Sequence, residues 1–268
     1  MAPDGTRPLV AVVIPAFNEE KYISETLAAV CGQCFDDVVH RDVLNGYRII
    51  VCDNNSTDRT AEIVREFASA EPSVPIELVT EKQAGTGCAA DTACRHAIDT
   101  GAVYLARTDA DTLPTANWLA ALLVPLLGGK RLVGGRVLAR PEAGSSATLF
   151  NLAGRLWRLG HAAQWWRTRS ESDERRRSFA VVGNNLAIDA EMYECSGGFP
   201  RTSIGEADED AILQQRVRAL TGARGIALSK RAVVHTSLRR LTAYGVADYV
   251  NWYRSDDRSA VTHDADVR

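Results

Sequence analysis

The chain reads as an α/β protein: a mainly parallel sheet flanked by helices, with a smaller subdomain supplied by its second half. Three observations predict this. Short apolar strands alternate with helical segments through the first half. Those strands are continuous apolar runs, as expected where both faces of a sheet are covered; a sheet with one wet face would show alternation. Finally, three acid- and amide-rich segments fall just after strands, and ligands of open parallel sheets bind beyond such carboxyl ends.

Leu9–Pro15 (LVAVVIP) is the first strand, followed by Asn18 as the expected N-cap of an amphipathic helix from Glu19 to about Cys31. Tyr47–Asp53 (YRIIVCD) is the second strand, DNNSTD at 53–58 its turn, and Thr60–Ala70 the next helix, opened by Ser, Thr and Asp. Ile76–Thr80 is the third strand, Gly85–Thr100 a helix with Ala and Cys on its inner face, and Val103–Arg107 the fourth strand. Pro15–Glu19, Asp53–Asp58 and Asp109–Asp111 thus converge on one crevice.

The second half is less regular. Arg131–Ala139 (RLVGGRVLA) is a strand in which Gly134–Gly135 marks a bulge or a close approach. Residues 147–166 have Leu149, Leu152, Leu156, Trp157, Leu159 and Trp166 near helical spacing, an aromatic amphipathic helix. The charged stretch 167–178 is expected as a loop, 205–220 as a helix with an acidic first turn, and Ala232–His235 as the end of a last strand. The polar tail 255–268 is expected to be disordered, which leaves residues 1–254 as one domain. No internal repeat is present.

A chain of 268 residues, 46% hydrophobic and 24% charged, can bury a large core. Its net charge of −3 gives no electrostatic case for nucleic acid or an anionic membrane as partner. The N-terminal apolar run ends at Pro15, too early for a signal peptide, and Trp118–Leu127, interrupted by Pro125, is too short to span a bilayer. A soluble cytoplasmic protein without a transmembrane segment is the expectation. The 6 cysteines do not form a disulfide framework at this length, and Cys31-x-x-Cys34 closes a helix with no second pair at zinc spacing.

The segment LARTDADTLP at 105–114 carries the most chemistry. Asp109 and Asp111 close an apolar strand and, one residue apart, present both carboxylates to the same side. Carboxylates held that close repel unless a cation lies between them, and a divalent metal serving a nucleotide diphosphate is the usual solution. The local alternative is a turn that caps a helix beginning near Pro114.

Taken in order, VVIPAFNEE, IVCDNNSTD, TDADT, GNNLAI, GGFP, EDAILQQR and TSLRR resemble the motifs of the family 2 glycosyltransferases, inverting enzymes of the GT-A fold. The resemblance runs from about residue 8 to 245. It implies a nucleotide-binding half at about 8–115, an acceptor half at about 130–250, a nucleotide-diphosphate sugar as donor and a divalent metal, Mg²⁺ or Mn²⁺, on the diphosphate. Asp111 would be the direct metal ligand, and Asp109 would contact the ribose or the metal through water, beside Ala110. His235 matches a histidine that adds a metal or phosphate contact in some relatives; an ordinary histidine at a strand end is the alternative. Asp53 resembles the aspartate that accepts from the imino edge of the base, which favours uracil or guanine over cytosine. Pro15, Ala16, Phe17 and Glu19 would form the opposite wall, with Asn55 in the same donor pocket.

Asp210, in Glu209–Asp210, matches the family's general base, and Asp208 is the alternative register. Gly183, Asn184, Asn185 and Gly197–Phe199 would shape the sugar and acceptor pocket. Arg239 and Arg240 would close over the diphosphate, or form a solvated basic face. In two places the chain departs from the family pattern. Asp91–Thr92 stands where an Arg-Asn pair is frequent, so a basic contact is absent or comes from Lys82. Asn54 stands where a second Asp is frequent. No Gly-rich basic loop follows the first strand, which disfavours a nucleotidyltransferase, and no G-x-G-x-x-G follows a strand, which disfavours an oxidoreductase. A non-catalytic nucleotide-sugar-binding homologue is the alternative of another class. The acceptor expected is a soluble small molecule, such as a secondary metabolite, with a polysaccharide or lipid-carrier acceptor at a membrane surface as alternative. The aromatic helix would serve as acceptor wall, homodimer face, membrane contact or plain core.

Overall fold

The strands are β1 (Leu9–Ala16), β2 (Tyr47–Asp53), β3 (Ile76–Thr80), β4 (Ala102–Thr108), β5 (Thr112–Pro114), β6 (Leu132–Ala139), β7 (Asn185–Asp189) and β8 (Ile226–Thr236). The helices are α1 (Ile23–Cys31), α2 (Thr60–Ser69), α3 (Thr86–Asp99), α4 (Trp118–Leu127), α5 (Ala190–Cys195) and α6 (Glu209–Thr221). This computed structural model describes residues 9–35, 46–70, 74–144, 146–152, 154, 166–167, 170, 181–202 and 209–239. Asp208, Arg240, most of 153–180 and the tail 255–268 lie outside the described residues, and so do the expectations placed on them.

An 8-stranded sheet joins both halves in the order β3-β2-β1-β4-β7-β6-β8-β5. The run β3-β2-β1-β4 is parallel, as the strand–helix alternation requires. Beyond β4 the sheet turns mixed: β7 is antiparallel to β4 and to β6, β8 is parallel to β6, and β5 is antiparallel to β8.

Side-chain alternation divides the core between the two faces. Val10, Val12 and Ile14 of β1 meet Ile23, Leu27 and Val30 of α1, with Val64 of α2 and Trp118 of α4 in the same cluster. Ala11 and Val13 point the other way, to Ala89, Ala90, Ala93 and Ala97 of α3 and to Leu213 and Val217 of α6. The small residues on α3 let it lie close to the sheet, which explains the Ala- and Cys-rich inner face legible in the sequence.

Two local expectations are corrected. The first helix begins at Ile23 after a turn in which the Tyr22 and Ile23 N–H groups both donate to the Glu19 carbonyl. Asn18 is no N-cap: it adopts a positive φ of 53° and its Oδ1 accepts from Thr57 N–H at 2.9 Å. No helix begins near Pro114, because Thr112–Pro114 pairs with β8 and α4 waits until Trp118. The competing principle in both cases is pairing across the chain, which overrides local capping chemistry.

Gly134–Gly135 is a close approach and a register shift at once. A Cβ on Gly135 would lie 2.3 Å from Asn185 Oδ1 and 2.4 Å from the Ala232 carbonyl. Asn185 needs that space. Its Oδ1 accepts from Trp118 Nε1 at 2.9 Å, while its Nδ2 donates to the Arg136 and Ala232 carbonyls at 3.0 and 3.2 Å. It is a fully buried clamp between β6, β7, β8 and α4. Asn185→Leu keeps the volume but strands these partners, so urea denaturation should show a loss of about 3 kcal/mol, since each buried unpaired group costs roughly 1–3 kcal/mol.

Candidate active site

β2, β1 and β4 are adjacent and parallel, so the segments after Ala16, Asp53 and Thr108 lie on one edge. Polar side chains staple the first two loops together. Asn18 N–H donates to Ser56 Oγ at 3.0 Å, Glu19 N–H to Thr60 Oγ1 at 2.7 Å, and Glu20 N–H to Asp58 Oδ2 at 3.0 Å. Asn54 ties the turn to the next loop: its Nδ2 donates to the Glu81 and Gln83 carbonyls, both at 2.8 Å, and its Oδ1 accepts from Gly85 N–H. An Asp here would face those carbonyls with acceptors, which accounts for the departure at this position.

Turn and capping duties thus fall to Asn54, Ser56 and Asp58, and Asp53 is left over. Asp53 is buried and its Oδ1 has no hydrogen-bond partner among the described residues. A buried acceptor in that state suits a ligand N–H. Beside it Pro15 and Ala16 are buried and Phe17 is half-buried. Asn55 takes a positive φ of 67° and donates to the Lys82 carbonyl, while the Lys82 residue is exposed.

The β4–β5 turn is anchored from behind. Thr26 Oγ1 donates to the Ala110 and Thr112 carbonyls, and the Asp111 carbonyl accepts from Arg140 Nε and Ser237 N–H. Asp111 Oδ2 lies 3.4 Å from Arg239 Nε, and Arg239 also bonds Glu19. Burial, followed by the Asp111 charge, pushes the Glu19 carboxyl up to about 8 in spite of Arg239, and Glu19 Oε2 stays without a hydrogen-bond partner among the described residues. The carboxylate oxygens of Asp109 and Asp111 are donors of the kind a hard divalent cation such as Mg²⁺ or Mn²⁺ takes. Among the described residues, no three His, Cys, Asp or Glu side chains are gathered to hold a metal unaided. β5 pairs Leu113 with His235, two residues beyond Asp111 in the chain.

The second half brings Asp210 to the same edge. Asp210 Oδ2 accepts from Gly183 N–H at 2.5 Å, and Asp210 Oδ1 lies 3.6 Å from Arg107 NH1. A Cβ on Gly183 would meet Asp210 Oδ1 at 2.2 Å, so that turn requires glycine. Asn184 stands beside it with Oδ1 buried and without a hydrogen-bond partner among the described residues. Asn185 differs from expectation: its hydrogen-bonding groups face the core, which removes it from the donor pocket.

Sequence reasoning missed two arginines. Arg107 looked like strand filler, although a charged residue inside an apolar run is a signal in itself. Arg201 resolves the departure at Asp91–Thr92. It donates to Glu81 at 2.6 Å, to Thr92 Oγ1 at 3.0 Å and to Asp91 Oδ2 at 3.3 Å, so a cation from the 197–202 loop meets the acid at this place on α3. Burial works against ionising Glu81, but Thr92 and Arg201 hold its carboxyl down at about 2. The same loop crosses the start of α3, where a Cβ on Gly85 or Gly87 would lie 2.7 or 2.5 Å from the Thr202 or Pro200 carbonyl. Gly85 and Gly87 are therefore glycines because backbone packs against them.

The raised Glu19 carboxyl predicts a pH dependence. A folded value of about 8 against an ordinary 4.5 means the native state holds the proton more tightly. Stability from this group is fully present below about pH 4.5 and is lost as pH rises through about 8. Melting curves of the metal-free protein should show that decline, and Glu19→Gln should flatten it across the same window.

Comparison with known proteins agrees with this geometry. A model of the family described as Glycosyl transferase family 2 matches residues 11–185. Glycosyltransferase AglE of Haloferax volcanii is 30% identical over 206 residues, 76% of this chain and 60% of that protein. The mannosyltransferase PcManGT of Pyrobaculum calidifontis, solved with GDP-Man and Mn²⁺, has a TM-score of 0.61 at 25% identity over 92% of this chain and 60% of its own. TarS of S. aureus, solved with UDP, shares the fold at a TM-score of 0.57 and 16% identity over 85% of this chain and 60% of its own. The chain spans 60% of the length of each of these proteins. Among the described residues, no helix is long and apolar enough to cross a membrane. A mixed sheet covered on both faces, an acid-rich edge at its parallel strand ends and a family match over most of that sheet agree: this chain belongs to glycosyltransferase family 2 and has the GT-A fold.

Proposed function

We propose that the chain is an inverting glycosyltransferase that moves a sugar from a nucleotide-diphosphate donor to a hydroxyl of a small-molecule or glycan acceptor. The observation that carries this reading is the gathering of Asp53, Glu19, Asp109, Asp111 and Asp210 on one sheet edge. In this reading Asp53 accepts an N–H from the donor's base, between Pro15, Ala16 and Phe17 on one side and Asn55 and Lys82 on the other. Such a contact favours a uracil or guanine nucleotide. Asp111 would hold a divalent metal, with Asp109 beside it and His235 adding a contact. That metal, when bound, would neutralise charge on the departing diphosphate. Arg239, now paired with Glu19 and Asp111, would turn to the diphosphate.

Inversion asks for a single base on the acceptor side. As the acceptor oxygen attacks the anomeric carbon, Asp210 would take its proton, and the bond to the nucleotide breaks on the opposite face. Gly183 N–H holds one Asp210 oxygen and Asn184 offers a buried acceptor nearby for a sugar or acceptor hydroxyl.

Thermal-shift titration with UDP, GDP, CDP, ADP and dTDP sugars, each with Mn²⁺, Mg²⁺ or EDTA, tests the donor site. One nucleotide family should raise the melting temperature in a metal-dependent way, and Asp111→Ala should abolish the shift. No shift with any nucleotide would sink the reading. Asp210→Asn should leave that shift intact while turnover falls by about 10²–10⁴-fold, the usual range for a lost general base.

A further inference from the structure

Arg107 has no place in the roles above, yet it is 2% exposed at the centre of the edge. Strand alternation sends Leu105 and Arg107 to one face of β4, Asp109 follows in the turn just beyond the strand, and the guanidinium lies 4.8 Å from the centre of the Phe199 ring. Its NH2 stands 3.3 Å from Asp109 Oδ1 and 3.5 Å from Glu209 Oε1, and its NH1 stands 3.6 Å from Asp210 Oδ1. Burial alone would weaken the cation, but Asp109, Asp210 and Glu209 more than offset it and hold its pKa above the ordinary arginine value. The group is therefore a permanent positive charge with a planar fork of fixed dimensions. On one prong sits the carboxylate of the donor motif, and on the other sits the carboxylate at the start of α6.

We propose that Arg107 is a positioning residue for transfer, its guanidinium setting the separation between the donor-side Asp109 and the base Asp210. This rests on Asp210 being the base. A lone ammonium on a flexible stem cannot reproduce that separation, so Arg107→Lys keeps the charge and loses the geometry. A buried arginine that served only to hold the fold together would give a different pattern, because its loss would lower stability without acting through Asp210.

The test is a double-mutant cycle with turnover and donor affinity read separately. Arg107→Lys should lower kcat by at least about tenfold while the donor dissociation constant moves by less than about threefold. In an Asp210→Asn background the same substitution should change kcat by less than about twofold, because its route to the reaction is already gone. Three results would overturn the proposal: wild-type kcat in a folded Arg107→Lys while Asp210→Asn is inactive, an equal kcat loss in both backgrounds, or a collapse of donor affinity in place of kcat. Full turnover in Asp210→Asn would instead overturn the base assignment on which it rests. If Arg107→Lys does not fold, Phe199→Leu takes its place, since it removes the ring 4.8 Å from the guanidinium and leaves every charge in place. A loss of kcat that disappears in the Asp210→Asn background supports the proposal, and wild-type kcat or an equal loss in both backgrounds overturns it.

Discussion

Like charge gathered at one sheet edge is the constraint on which the rest of this structure depends. Glu19, Asp109, Asp111, Glu209 and Asp210 come from three parts of the chain, and cations hold them there. Arg107 meets Asp109, Glu209 and Asp210 from within the sheet, and Arg239 meets Glu19 and Asp111 from beyond β8. At about 4 Å and an effective dielectric near 20, each such pair is worth about 4 kcal/mol before desolvation is subtracted. Desolvation of buried charges is of similar size, so the arrangement is poor glue and a demanding geometric device. Burial first, and then the Asp111 charge, keep the Glu19 carboxyl raised in spite of Arg239. A further cation would be welcome there, and that is the electrostatic sense of the proposed metal.

The fold makes the edge possible by keeping turn chemistry off the functional carboxylates. Ser56, Asp58 and Thr60 satisfy the backbone of the first loop, and Asn54 satisfies the third from the second. Thr26 does the same for the β4–β5 turn from α1. Each uses a short side chain that donates or accepts between elements, so the loops are tied to one another. Asp53 and Glu19 each keep an oxygen without a hydrogen-bond partner among the described residues because their neighbours have taken over the local work.

Strands β1 to β4 and the helices between them were legible because their signals are local: apolar runs of strand length, bounded by Asn, Asp, Ser and Gly. Asp53, Asp109 and Asp111 could be placed for the same reason, since each ends or follows such a run. The misreadings share one cause. Asn18, Pro114 and Asn185 carry ordinary signals for a cap, a helix start and a pocket amide. Each was overruled by a partner remote in sequence: Thr57, β8 and Trp118. Arg107 and Arg201 were invisible as functional residues for a related reason. An arginine declares its role through the carboxylates it meets, and here most of those lie about a hundred residues away.

Arg201 shows how far that dependence reaches. On α3, Asp91 and Thr92 would by themselves leave an acid without a cation. Asp91 is buried and accepts from Tyr193 Oη, Arg95 and Arg201. Gly198 is glycine because a Cβ there would meet Asp91 Oδ1 and the Tyr193 ring, both at 2.8 Å, and its φ is 66°. The acid on α3, the tyrosine on α5, the glycine turn and the arginine beyond it therefore form one unit. Glu81, which follows the Asp53-paired end of β3, receives its cation from that unit. The second half of the chain thus supplies, through Arg201 of the 197–202 loop, the cation that meets Asp91 and Glu81 in the first.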